Sequence, residues 1–248
     1  MTDFTISLAG IPVGIRARYS STRTFCEDYL TEEAPVFTVT SSEEIIQREQ
    51  ERSDRQAALE GASEEAYDRP YLEQLGIYRE IAERLLDQGV LLFHGSALAV
   101  DGQDYLFTAR SGTGKSTHAR LWRQMLGERV VMINDDKPVL KISEAGVSVC
   151  GTPWNGKHRL GGPVIKPLRA LCVLERAERN RIEPLNSWEA FPLLLQQSYR
   201  PLDRMKIPRV LELLDTMMEH TAMYKMYCNN LQEDAARVSF EEMSKGDK

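Results

Sequence analysis

The chain reads as an α/β fold with an α+β tendency, built on a mixed rather than an all-parallel sheet, and three observations predict it. Strand-like and helix-like segments alternate along most of the 248 residues. A strand ending at Thr108 runs directly into Ala109-Arg110-Ser111-Gly112-Thr113-Gly114-Lys115-Ser116-Thr117, a glycine-rich turn that opens a helical pattern. That strand follows another, at 97–100, across the turn Asp101-Gly102, a hairpin signal much too short for the crossover that parallel neighbours need. The glycine-rich turn is therefore expected at the end of an antiparallel hairpin.

Taken in order, strands over 3–8 and 12–18 flank Ala9-Gly10, residues 22–30 predict a short helix and 35–40 a third strand, so the chain opens with small α+β structure. Residues 42–61 start with a hydroxyl and two glutamates and continue in Glu, Gln, Arg and Ala, which predicts a helix with a solvated face. A second helix over 71–88, introduced by Pro70, sets Leu72, Leu75, Tyr78, Ile81 and Leu85 at core-facing spacing. Residues 1–89 form an N-terminal segment predicted to pack on a core domain over 90–248. In that domain, strand 90–93 and the pair His94-Gly95 precede the hairpin. Helix 118–126 follows the loop. Strands 130–134, 138–142 and 147–151, the last two joined by Glu144-Ala145-Gly146, predict a meander. Strand 168–174, helices 188–197 and 206–218, strand 223–227 and helix 233–243 complete the order, with no internal repeat or low-complexity run.

Composition narrows the function classes. A hydrophobic content of 42% with 27% charged residues is that of a globular protein. The net charge of -6 and the lack of a basic stripe argue against a nucleic-acid partner. Cys26, Cys150, Cys172 and Cys228 are isolated in sequence, with no Cys-x-x-Cys pair, and read as free thiols in a reducing compartment. The opening residues lack a signal segment and no apolar run is long enough for a membrane span, so the expected location is cytoplasmic, with no membrane partner.

The chemistry concentrates in the glycine-rich turn, which has the form of a P-loop. Gly112 and Gly114 let Ser111, Thr113 and their neighbours aim backbone amides at phosphate oxygens; Lys115 reaches the β- and γ-phosphates and the Ser116 hydroxyl suits Mg²⁺, with Thr117 beside it. Ala109 stands where the commonest form has glycine. Asp135 and Asp136 end an apolar strand, and phosphoryl transfer needs two such groups, one for Mg²⁺ and one to orient or deprotonate the attacking hydroxyl. Successive strand residues face opposite sides, so both reach one site only if the chain bends, which Lys137-Pro138 favours.

His94 has two readings, a packed histidine or a group that tunes the base or the transferring phosphate. The loop over 151–163 is rich in Gly and Pro. It is read either as a solvated surface loop or as a cover for nucleotide, with Lys157 and Arg159 neutralising phosphate charge. Arg200 is a weaker phosphate contact of the same kind, and Trp154 either stacks on a ligand or plugs the loop onto the core.

In the order His94-Gly95, hairpin, Ser-Gly-Thr-Gly-Lys-Ser, Asp135-Asp136, residues 90–175 resemble the catalytic domain of bacterial HPr kinase/phosphorylase, a family that shares its core with ATP-dependent PEP carboxykinases. The whole chain looks like the compact HPr-kinase-like proteins of modified-peptide gene clusters, through Ser-Gly-Thr-Gly-Lys-Ser-Thr-His, Ile-Asn-Asp-Asp-Lys-Pro and Gly-Thr-Pro-Trp-Asn-Gly-Lys. The resemblance implies a mixed-sheet, PEP carboxykinase-like P-loop fold with a small N-terminal α+β segment. It implies ATP and Mg²⁺ as cofactors, with Lys115 and the loop amides on ATP, Ser116 and Asp136 on Mg²⁺, and Asp135 as base, the last two roles being interchangeable. HPr kinases carry Glu directly after the P-loop serine, where this chain has Thr117. The expected activity is ATP- and Mg²⁺-dependent transfer of the γ-phosphoryl group to a hydroxyl, foremost a serine of a peptide or protein substrate, with a homo-oligomer permitted. The alternatives are a non-catalytic nucleotide-binding accessory protein and a small-molecule kinase.

Overall fold

A computed structural model describes residues 1–60, 67–156, 158–229 and 234–245. The chain divides into two compact units, Met1–Arg84 and Leu85–Lys248.

In the first unit, β1 (Thr2–Leu8) and β2 (Ile11–Ala17) form an antiparallel hairpin, and β3 (Phe37–Thr40) adds in parallel to β2. The turn works because Ala9 and Gly10 both take positive φ, 54° and 75°, the twist a two-residue hairpin demands. The predicted helix at 22–30 is α1 (Ser20–Phe25) followed by a tight turn at Glu27–Tyr29. Tyr19 offers α1 no side-chain cap, and the cap comes from far along the chain. Fully buried Glu73, on α3 (Arg69–Leu85), accepts from Arg18 N (2.7 Å), Tyr19 N (3.3 Å) and Thr22 Oγ1 (2.6 Å). The charged helix α2 (Glu43–Glu60) is not wholly solvated: Glu49 is 5% exposed and takes a 2.8 Å bond from Arg79 Nε. Residue 61, the end predicted for this helix, lies outside the described residues.

The second unit holds a mixed sheet. Its strands are β4 (Val90–Leu92), β5 (Ser96–Val100), β6 (Gln103–Thr108), β7 (Val130–Asn134), β8 (Val139–Ser143), β9 (Gly146–Cys150), β10 (Ile165–Arg176), β11 (Arg181–Pro184) and β12 (Ala222–Cys228). Among the described residues they run in the order β4-β8-β9-β10-β6-β5-β7, with β12 on β10 and β11 on β12. The predicted hairpin is β5 and β6, antiparallel from Ser96↔Phe107 to Val100↔Gln103. The predicted three-strand meander is not formed. Only β8 and β9 pair as a hairpin, while β7 pairs antiparallel with β5 and β8 pairs with β4. The cause is local: Asn134 Oδ1 accepts from Asp136 N (2.9 Å) and Lys137 N (2.7 Å), a side-chain turn that swings the chain away from its predicted neighbour. Strand β10 changes partners along its length, antiparallel to β9 through Pro167 and then parallel to β6 and β12.

Because β5 runs against both β6 and β7, those two are parallel to each other and to β10 and β12. Four strands therefore end, and β5 begins, on one edge of the sheet. One face is covered by α4 (Lys115–Leu126) and α7 (Asp234–Met243), with Trp122, Phe107, Ala119, Met226 and Met243 in the core between them. Ser239 ties the helices: its Oγ lies 2.9 Å from His118 Nε2, receives Trp122 Nε1 at 2.8 Å, and bonds back to Ala235 O. The histidine after the glycine-rich loop is thus a packing residue. Helices α5 (Ser187–Gln197) and α6 (Ile207–His220) contact each other, and α6 lies against β8 and β9. All four cysteines are buried and free. No helix among the described residues is long and apolar enough to cross a membrane.

Asp104, near the start of β6, is fully buried, and neither carboxylate oxygen has a hydrogen-bond partner among the described residues. Burial pushes its carboxyl well above the usual carboxylate range. The folded state then holds a proton that the unfolded chain releases near pH 4, so stability is greatest below that range and is lost as pH rises toward the folded-state value. Asp104→Asn is expected to melt at a higher temperature than the parent at pH 8 and to lose most of that advantage at pH 5; melting curves across this range check it.

Candidate functional site

The edge where the strands end gathers the residues that carry chemistry. The glycine-rich loop joins β6 to α4, with Gly112 at φ 75° and Gly114 at φ 117°, conformations that a side chain would strain. Thr113 N bonds to Arg110 O at 3.2 Å, closing the loop's turn. From the end of β10, Arg176 Nη2 holds Gly112 O, and its Nε reaches Thr113 O at 3.4 Å. Lys115, 8% exposed, folds back so that its Nζ bonds Ala109 O at 3.0 Å, and burial lowers its pKa against the opposing pull of Asp136.

The segment before β5 brings in His94. Thr108 Oγ1 bonds His94 O at 2.9 Å, His94 N bonds Gln197 O at 2.8 Å and Gly95 N bonds Asp136 O at 3.0 Å, which ties three loops together. The ring is held on one side by Gln197 Oε1, 2.9 Å from Nδ1, and on the other Nε2 stands 3.6 Å from Asp136 Oδ1. The two ring nitrogens thus serve two partners, the Gln197 amide on one side and the Asp136 carboxylate on the other. Burial lowers the His94 pKa, Lys115 lowers it further, and Gln197 and Asp136 oppose them. Asp136 also receives Lys137 Nζ at 2.6 Å.

Asp135 points elsewhere. Its Oδ1 accepts from Gly156 N at 2.6 Å, and a Cβ on Gly156 would lie 2.8 Å from Oδ2, so only glycine lets the 151–163 loop dock there. The bend that separates the two carboxylates is the Asn134 turn, whose Nδ2 bonds Thr152 Oγ1 at 3.0 Å while Thr152 Oγ1 bonds Lys137 O at 2.9 Å. A cavity of about 550 Å³ lies beside Asp135, lined also by Ser96, Ser116, Thr117, Arg120 and Met132. Ser96 is fully buried and its hydroxyl has no partner among the described residues. A second cavity, about 440 Å³, touches Ala109, Arg110, Thr113, Arg176 and Gln197.

Of the residues predicted from sequence, Ser111 to Thr117, Asp135, Asp136 and His94 therefore meet at one edge. Arg159 is exposed, in the left-handed region at φ 46°, and lines neither cavity, and Arg200 likewise lines neither. Lys157 lies outside the described residues. Trp154 is 3% exposed and plugs the loop onto the core, leaving no face for a ligand. Sequence reading missed Gln197, Ser96, Arg176 and the positioning role of Asn134. Each is a common residue in an ordinary run, and only the pairing of strands brings it to the site.

Mg²⁺ fits this set. No group of three or more His, Cys, Asp or Glu side chains gathers as a metal cage among the described residues, and Mg²⁺ bound with phosphates takes one or two protein oxygens and completes its shell with water. Ser116 and Asp135, on one cavity, supply such oxygens.

No protein-family model matches the chain, and no curated protein matches it. Among solved structures the chain has a distant likeness of fold to the Hpr(Ser) kinase/phosphatase from Coxiella burnetii, with 14% identity, over 62% of this chain and 99% of that one, at a TM-score of 0.34.

The surroundings of His94 make its titration a measurement of this geometry. Its NMR midpoint is expected below the ordinary value of 6.5, lower still in Asp136→Asn, which loses an opposing anion, and higher in Lys115→Met, which loses a neighbouring cation. A midpoint indifferent to both substitutions would mean that the three groups do not share one site.

Proposed function

We propose that the chain is a kinase that transfers the γ-phosphoryl group of ATP to a hydroxyl, foremost a serine of a peptide or protein. The observation that carries this reading is the meeting of a P-loop, a paired Asp135-Asp136 and His94 at the edge where β6 and β7 end. The motif order that resembles HPr kinases supports it.

Phosphoryl transfer asks little covalent chemistry of a protein; it asks for alignment and charge neutralisation. In this reading the loop amides and Lys115 grip the phosphates, and Lys115 leaves Ala109 O to do so. The division of the carboxylates favours the exchange of roles that the sequence left open. Asp135 shares a cavity with Ser116, which suits the pair that would hold Mg²⁺, an ion that draws charge from the phosphate oxygens. Asp136 stands 3.6 Å from His94 Nε2 and suits the group that orients the acceptor hydroxyl and accepts its proton, with His94 next in line. Thr117 and Arg120 leave the nucleoside the 550 Å³ cavity, with Met132 on its wall. The acceptor then enters from the flank of Gln197.

Purified protein, labelled ATP, Mg²⁺ and serine-containing peptides should yield phosphopeptide. Asp136→Asn is expected to lower kcat about 100-fold or more with ATP binding kept, the loss typical of removing a general base. Asp135→Asn is expected mainly to raise the Mg²⁺ concentration needed. Binding of ATP with no transfer to any peptide or hydroxylated metabolite would favour the accessory-protein reading, and transfer to metabolites alone the small-molecule kinase. Equal transfer by Asp136→Asn would remove that residue as base.

A further inference from the structure

The 440 Å³ cavity on the Gln197 flank carries a charge out of keeping with the chain. The protein is acidic, at -6, yet this wall presents Arg110, Arg176 and Lys225 against the single carboxylate of Glu175. That carboxylate is already taken, 2.7 Å from Lys225 Nζ. Arg176 bonds the carbonyls of Gly112 and Thr113, and a guanidinium has five donors. Neither Arg110 nor Arg176 has an ion-pair partner among the described residues. Leu193, with Val173 and Leu174, gives the same space an apolar side.

Two guanidiniums without an anion, beside an apolar wall and next to the His94–Gln197 pair, form a recognition surface for a negatively charged ligand. The inference rests on the kinase reading, in which the nucleotide's phosphates lie over the loop amides and Lys115 and the acceptor enters here. We infer that the acceptor hydroxyl is accompanied by a carboxylate, as in a serine with acidic neighbours. An extended peptide advances about 3.3 Å per residue, so a space of this size takes about two or three residues, and the acidic group belongs within that distance of the serine. A small hydroxy acid offers the same chemistry without the peptide.

Lys225 and Glu175 make the inference testable in both directions, since they shape the charge of the wall without belonging to the loop or the carboxylate pair. Fluorescent serine-centred peptide pools with acidic, neutral or basic neighbours, and free glycerate and serine as competitors, can be titrated onto the full chain with ADP and Mg²⁺. The same pools can then be assayed for transfer with ATP. The acidic pool is expected to bind about fivefold tighter than the neutral one at low salt, the upper range for a partly exposed ion pair, and to lose that advantage at high salt. Lys225→Glu should abolish or invert the preference, Lys225→Gln should halve it or more, and Glu175→Gln should increase it. Competition by glycerate, with no selection among peptides, would keep the carboxylate and assign it to a small acceptor. Acidic selection in binding without transfer to any pool would keep the anion site and overturn the kinase reading. Transfer that ignores neighbouring charge, or variants that alter ATP affinity while leaving selection unchanged, would overturn the inference and leave the kinase reading standing.

Discussion

The arrangement of the second unit depends on one antiparallel strand lying between two parallel ones. With β5 between β6 and β7, the beginning of β5 and the ends of its neighbours must fall on the same sheet edge. A parallel crossover at this point would send the chain across a face of the sheet and deliver a helix there. The two-residue turn instead delivers His94 to within one strand of the glycine-rich loop and the carboxylate pair. The turn itself is simple, Asp101 at φ 51° and Gly102 at φ 87°. Everything the site can do follows from which chain ends that hairpin brings together.

Electrostatics then divides the edge into two sides. Asn134 is the hinge of that division, because an adjacent pair of carboxylates on a straight strand would face opposite sides of the sheet anyway, but not at a controlled depth. By accepting from two successive backbone amides it fixes Asp136 toward His94 and leaves Asp135 to the docked 151–163 loop. The cations are divided in the same way: Lys115 and Lys137 border Asp136, while among the described residues Asp135 is held by the Gly156 amide. A carboxylate held by one backbone amide gives up less on meeting a cation than one already paired with a lysine.

Motifs whose function is local were legible in the sequence, and those whose function is long-range were not. The glycine-rich loop, the Asp101-Gly102 turn and most helix and strand positions follow from residues within a few places of each other. The partner of β7 does not, because 130–134 is an apolar run that would pair equally well with 138–142; the deciding factor is one asparagine side chain. Strand β11, Arg-Ile-Glu-Pro, carries almost no strand signal, being short, polar and closed by proline, and it exists because β12 offers it an edge. Glu73 as a cap for α1 and Ser239 as a tie between α4 and α7 are invisible for the same reason, as each acts across more than fifty residues. The loop over 151–163 reads from composition either as a solvated surface loop or as a phosphate cover, and composition does not show that Gly156 and Trp154 dock it, because their partners lie in distant segments.

Arg176 shows how a residue without any motif helps to shape the glycine-rich loop. In a trans peptide the carbonyl and the following N–H point in opposite directions, so a group that draws carbonyls to the outside of a turn turns the next amides inward. Arg176 Nε takes Thr113 O, which orients the peptide whose nitrogen belongs to Gly114, at the point where the loop becomes α4. The helix adds its own positive end at the same place. An arginine at the end of β10 can do this only because β10 runs parallel to β6 and ends beside it, Val173 opposite Thr108. The loop's shape is therefore set from outside by the neighbouring strand as well as by its own glycines.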